Sequence, residues 1–140
     1  MRPLRISQLG EAWRLANSNI LLQTYLAGVI GPHGDTVRFS YTQPSGSRGL
    51  VLASSIAIRR DGAPTTAGRV MGLLRLNGIT VLITFFFGGA VDVSDRANIG
   101  HGIVLDGGDL LEGLTGDTST GGSVTYALSA QILSVVRHLG

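Results

Sequence analysis

A chain of 140 residues that is 44% hydrophobic and only 14% charged has the length of one ordinary domain and enough apolar content to build a core. The absence of cysteine excludes disulfide scaffolds, zinc–thiolate centres, iron–sulfur clusters and cysteine nucleophiles. The net charge is +2 and every cation is an arginine, so P-loop, Schiff-base and general-base lysines are excluded too.

The arginines stand singly apart from Arg59-Arg60, and six of the nine acids fall between Asp92 and Asp117. No basic stripe interleaved with aromatics exists, so nucleic acid is not an expected partner. Residues 15–34 and 76–91 are uncharged, but Asn17, Ser18, Asn19, Gln23 and Thr24 interrupt the first and Asn77-Gly78 the second. Neither reads as a membrane span. Glu11, Trp13 and Arg14 occupy the place where a signal peptide would need its apolar run, so no leader is expected.

Residues 1–35 carry no two-residue period. Leu9, Ala12, Trp13 and Ala16 fit one face of a short helix near 8–16, while residues 19–30 suit helix or strand equally. Gly31-Pro32-His33-Gly34 has the composition of a hinge. From residue 36 the alternation is regular. Val37, Phe39 and Tyr41 form one strand face, and Gln43 to Ser47 is a turn. Leu50, Leu52, Ile56 and Ile58 form the next face, followed by an expected loop from Arg59 to Gly68.

Val70–Leu76 and Ile79–Phe87 flank Asn77-Gly78, the strongest short-range signal for a hairpin. Residues 90–98 read as a connection or edge strand. His101–Leu105 and Leu110–Leu114 flank the turn Asp106-Gly107-Gly108-Asp109. Gly116–Gly122 is expected to be a polar loop, and Val124, Tyr126, Leu128, Ala130 and Ile132 mark a last, half-buried strand. The spacing predicts an all-β, antiparallel jelly-roll-like sandwich or barrel of about eight strands, with an N-terminal arm or short helix. The expected division is a docking segment, 1–35, and a β-domain, 36–140.

The stretches YTQPSGSRGLVLASSIAIRR (41–60), GRVMGLLRLNGITVL (68–82), IGHGIVLDGGDLLEGLTG (99–116) and GGSVTYALSAQIL (121–133) follow one another in a characteristic order. That order resembles a recurrent small β-domain of tailed-phage virion proteins over residues 36–136. The resemblance lies in turns and strands rather than in a catalytic signature. It implies a non-enzymatic structural protein, made in the host cytoplasm and carried on the particle surface. A capsid decoration or cement protein, usually trimeric, is the first expectation. A head-fibre or tail-associated protein is the alternative within that class, and a carbohydrate-binding β-sandwich the alternative outside it. The implied partners are further copies of the chain and the major capsid or tail proteins.

The chemical motifs are few. Asp106, Asp109, Glu112 and Asp117 supply oxygens suited to calcium, but their spacing matches no EF-hand and a locally hydrogen-bonded turn accounts for them. His33, His101 and His138 are far apart, with no metal-ligand spacing and no G-x-S-x-G elbow nearby. No catalytic, cofactor or metal residue is therefore assigned, and chelation is expected to leave the melting temperature unchanged. The candidate assembly residues are Leu9, Trp13, Leu22, Tyr25, Leu26, Phe85 and Phe86. Strands 70–87 are apolar on both faces, which predicts cover from a second subunit. The apolar N-terminal segment predicts docking on the particle, and deletion of residues 1–30 is expected to leave a folded β-domain.

Overall fold

The computed structural model describes residues 20–99 and 102–136, all of whose regular structure is β. Seven strands form one antiparallel, nearly closed sheet: β1 (Ile20–Thr42), β2 (Ser47–Gly62), β3 (Gly68–Leu76), β4 (Ile79–Gly88), β5 (Ser94–Ile99), β6 (Ile103–Leu105) and β7 (Leu110–Val136). The antiparallel barrel-like class read from the sequence is the one observed.

Two long strands organise it. β1 pairs with β7 from Ile20↔Leu133 to Thr42↔Leu110, so it takes one edge of β7 for almost its whole length. The other edge is divided: β3 pairs with Leu111–Asp117 and β2 with Ser123–Val136. β4 extends the first layer beyond β3, and β5 and β6 extend the second beyond β2. The two layers thus share β1 and β7, which cross from one to the other at a bulged corner. In β7 the corner is Gly121-Gly122, with φ of 68° and 71°, a conformation that glycine adopts without steric cost. In β1 it is Gly31 to Asp35, where the register shifts repeatedly.

The bulge reverses which residues face inward. Before it, Leu111, Thr115, Asp117 and Ser119 of β7 are buried; after it, Val124, Tyr126, Leu128, Ala130 and Ile132 are. Between the layers these meet Val51, Ile56 and Ile58 of β2, Val70 and Leu74 of β3, Phe86 of β4 and Phe39 of β1. Gly72 makes the approach of β3 to β2 close: a Cβ there would lie 2.6 Å from Ile56 Cγ2.

Three expectations change. Residues 20–30 are a strand built into the sheet, and Gly31–Gly34 is a corner inside β1, so the boundary at residue 35 falls within a strand. Gly116–Gly122 is part of β7, because inward Asp117 and Ser119 replace the apolar residues that would have shown the period. The loop expected from Arg59 begins only after Gly62, since Arg60 continues the inward row of Ile56 and Ile58. The Asn77-Gly78 hairpin is as expected, with φ of 50° and 82°. The short helix expected near 8–16 lies outside the described residues.

The seam between β4 and β5 lacks a backbone ladder. Asp95 bridges it instead: its Oδ2 accepts from Thr84 Oγ1 at 2.6 Å and from the Phe85 N–H at 3.3 Å. The Thr84 hydrogen bond, chiefly, holds the Asp95 carboxyl below the usual carboxylate range, against a smaller opposing effect of burial. A depressed carboxylate contributes stability that is complete above its unfolded-state pKa and lost as pH falls through the folded value. Asp95→Ala should therefore lower the neutral-pH melting temperature by roughly 2–4 °C. It should also flatten the decline of that temperature below about pH 4. Thermal melts from pH 3 to 7 check both effects, and an unchanged acid limb would remove Asp95 from the seam.

Candidate interaction surfaces

Alternation on β3 and β4 sends Val70, Gly72, Leu74, Thr84 and Phe86 inward and their neighbours outward. The outward row pairs Met71 with Phe85 and Leu73 with Ile83, and Leu73 continues across to Leu114 of β7. Met71, Leu73 and Leu114 form a second apolar cluster, separate from the core and on the opposite face of the sheet. Around it Phe85 is 57% exposed, and Phe87, Ile83 and Val37 are exposed as well. A contiguous apolar area of this kind, lying on regular strands, is the usual mark of an interaction surface. Phe86, by contrast, is buried in the main core, where the Arg60 guanidinium lies 5.5 Å from its ring centroid.

The second surface belongs to the first half of β1. Leu22, Leu26 and Ile30 are 65%, 76% and 73% exposed and stand in one row. The sheet beside them is paved with small residues: Leu26 pairs with Ala127, which pairs with Ala57, and Thr24 with Ser129, which pairs with Ser55. Shallow open grooves run over this paving. Tyr25 lies on the other side of the strand, half-buried against the core with Arg38 5.0 Å from its ring centroid. Of the sequence candidates, Leu22, Leu26 and Phe85 are thus outward-facing, while Tyr25 and Phe86 face in. Leu9 and Trp13 lie outside the described residues. Ile30, Ile83 and Phe87 lie outside that candidate set, and strict alternation from Leu26 and Phe85 reaches each of them.

The third feature is a polar cluster inside the corner. Arg60 is 0% exposed. Its Nη1 donates to Ser119 Oγ at 3.3 Å and its Nη2 to the Gly88 carbonyl at 3.1 Å. Ser119 Oγ donates in turn to Asp117 Oδ1, which also accepts from the Ser119 N–H at 2.8 Å. A buried cation and a buried carboxylate are thereby joined through one hydroxyl. Among the described residues, Arg60 Nε, Asp117 Oδ2 and His33 Nδ1 have no hydrogen-bond partner. Tyr126 packs edge-on against His33, its hydroxyl 3.4 Å from His33 Nε2. Burial pushes the Tyr126 hydroxyl far above its ordinary range, with the Asp117 carboxylate adding to the shift. Burial also lowers His33, and Arg38 lowers it further, against the opposing pull of Asp117 and Asp35.

This arrangement places no histidine against a serine: His33 meets a tyrosine, and Ser119 is held between an arginine and an aspartate. The acidic turn is occupied locally. Asp109 Oδ2 accepts from the Asp106 N–H at 2.7 Å and Oδ1 from Asn77 Nδ2 at 3.0 Å, which ties this turn to the β3–β4 hairpin. Among the described residues no group of three or more acidic or histidine side chains is disposed to hold a metal.

No family model and no curated protein matches the chain. Solved structures with similar stretches include the dimeric latent PorU of Porphyromonas gingivalis, at 18% identity and a TM-score of 0.33 over 77% of this chain. Two strains of infectious bursal disease virus also match: Gt at 13% identity and TM-score 0.37 over 84%, and Gx at 12% and 0.31 over 86%. The chain spans 10%, 33% and 37% of those respective chains. TM-scores of this size assign neither a fold family nor a function.

Proposed function

We propose that this chain is a non-enzymatic structural module of a virion surface, of the tailed-phage kind, which self-associates through the outer face of β3 and β4. The observation that carries the proposal is the row of exposed Ile83, Phe85 and Phe87 on the side away from the core, backed by the buried apolar cluster of Met71, Leu73 and Leu114. Rigid strands present it, and the exposed side chains of Ile83, Phe85 and Phe87 are apolar, which favours a protein partner over a glycan. The resemblance of residues 36–136 to phage virion modules supplies the class and the threefold arrangement. In this reading residues 1–19, with Leu9 and Trp13, attach the module to the capsid or tail.

The solution mass should be three times the 14.6 kDa chain, or a multiple of that. Phe85→Asp should lower it while leaving the far-ultraviolet circular dichroism unchanged, because the side chain points away from the core. Light scattering of both proteins at micromolar concentration tests this; a monomeric wild type would overturn it. Trp13→Ala should reduce particle occupancy without changing the solution mass.

A further inference from the structure

We infer that the outer edge of β1 pairs with the same edge of a second copy, in a two-fold antiparallel ladder centred on Leu26. The row Leu22, Leu26, Ile30 joined to its symmetry mate across that ladder is the juxtaposition on which the inference rests.

β1 pairs with β7 along one side, and among the described residues nothing pairs with the other. From Ile20 to Ile30 the register with β7 is unbroken, so the free edge is a regular run of backbone donors and acceptors. Natural proteins usually blunt such an edge with charge, a bulge or proline. Here residues 20–34 contain no arginine, aspartate or glutamate, and the first bulge and the first proline come only at Gly31 and Pro32. The protected stretch and the open stretch therefore meet at the corner.

The pattern on the open stretch is self-complementary. With Leu26 opposite itself, Leu22 stands opposite Ile30, and Thr24 opposite Gly28, on one face. On the other face Gln23 meets Val29 and Tyr25 meets Ala27, so a large residue meets a small one at the bulkiest position. The three most exposed aliphatic side chains of β1 would then form one continuous cross-strand row. The absence of charge means that antiparallel self-pairing brings no like charges together, a condition that a charged edge would fail. The interface is isologous, each residue repeated on both sides, which a two-fold requires. It closes, because each copy uses its one free β1 edge; a shifted register would also close but would leave Leu22 or Ile30 without its apolar partner. The ladder ends where Pro32 withholds an N–H. This inference does not rest on the virion reading and uses a different strand from the β3–β4 face.

The wild-type chain has no cysteine, so single cysteines report the register cleanly. Opposed Cα atoms in an antiparallel pair are about 4.5 or 5.5 Å apart, within the range a disulfide spans. Leu22 and its own mate would be offset by about 27 Å along the strands. Under mild oxidation of the full chain, Leu26→Cys should give at least about ten times more covalent dimer than Leu22→Cys or Ile30→Cys alone. An equimolar mixture of Leu22→Cys and Ile30→Cys, one of them isotope-labelled, should give a dimer containing one of each. The pair Thr24→Cys and Gly28→Cys repeats the test should Leu26→Cys fold poorly. Leu26→Lys should halve the solution mass, whereas Phe85→Asp should leave the cysteine cross-links intact. Equal cross-linking of all single variants, or none with Leu26→Cys and none in either mixture, would overturn the inference.

Discussion

Replacing Arg60 with alanine should destabilise the protein by about 3–5 kcal/mol, the range expected when one partner of a buried charge pair is removed. Arg60 is completely buried and Asp117 almost so. Their link runs through Ser119 Oγ, which accepts from Arg60 and donates to Asp117. Without the guanidinium, Asp117 keeps its hydrogen bonds from Ser119 but loses the cation that offsets its charge in the interior. The Gly88 carbonyl loses its donor, and Phe86 loses the cation near its ring. Arg60→Met fills most of the volume, so it separates charge from packing. Arg60→Met/Asp117→Asn should be more stable than the sum of its single variants predicts, by about 1–3 kcal/mol. Urea unfolding of the four proteins measures this coupling, and strict additivity would show that the relay through Ser119 carries no energy.

The same residue marks where the sequence was legible and where it was not. Ile56, Ile58 and Arg60 are one inward row, and simple alternation leads from the second to the third. A charge next to another charge, Arg59-Arg60, reads as the end of a strand, because the cost of burying an arginine normally forbids anything else. The cost is met here by groups that are distant in sequence: Ser119 and Gly88 in contact, and Asp117 beyond Ser119. The same compensation hid the middle of β7, where polar Thr115, Asp117 and Ser119 hold inward positions that apolar residues hold elsewhere. Thr115 accepts from Arg38 Nε at 2.8 Å, so it too is satisfied from another strand. The Asn77-Gly78 hairpin was legible for the opposite reason: its turn chemistry and its alternation are both local.

Both candidate surfaces were partly legible. Phe85-Phe86-Phe87 announces one ring inward and two outward in any strand, but only the pairing of Met71 with Phe85 and Leu73 with Leu114 shows an apolar area spanning three strands. In the first half of β1 the period is masked because the strand is apolar on both faces. Tyr25 and Val29 pack on the core while Leu22, Leu26 and Ile30 face out. A residue list without a register cannot divide them, and helix and strand remain equally good fits.

That division determines the effect of truncation. Removing residues 1–30 should abolish cooperative folding, whereas removing residues 1–19 should leave the melting temperature within a few degrees of the full chain. The shorter deletion leaves every described pairing intact, since β1 begins at Ile20. The longer one strips the partner from β7 between Ser123 and Leu133, which exposes one edge of the strand that joins the two layers. It uncovers the core side chains Val124, Tyr126 and Leu128, and it removes Tyr25 and Val29 from their cover. Burial of a large apolar side chain contributes about 1.5–3 kcal/mol, so losing two such residues and eleven paired positions rivals a total stability of about 5–15 kcal/mol. The remainder of β1, Gly31–Thr42, would still pair with the first half of β7 but begin at the bulged corner, where register is least regular. Thermal and urea melts of the two truncations, followed by both far- and near-ultraviolet circular dichroism, decide the matter. Cooperative unfolding of the 31–140 fragment at an undiminished midpoint would mean that the first half of β1 is an appendage, and that the hinge expected at Gly31–Gly34 exists after all.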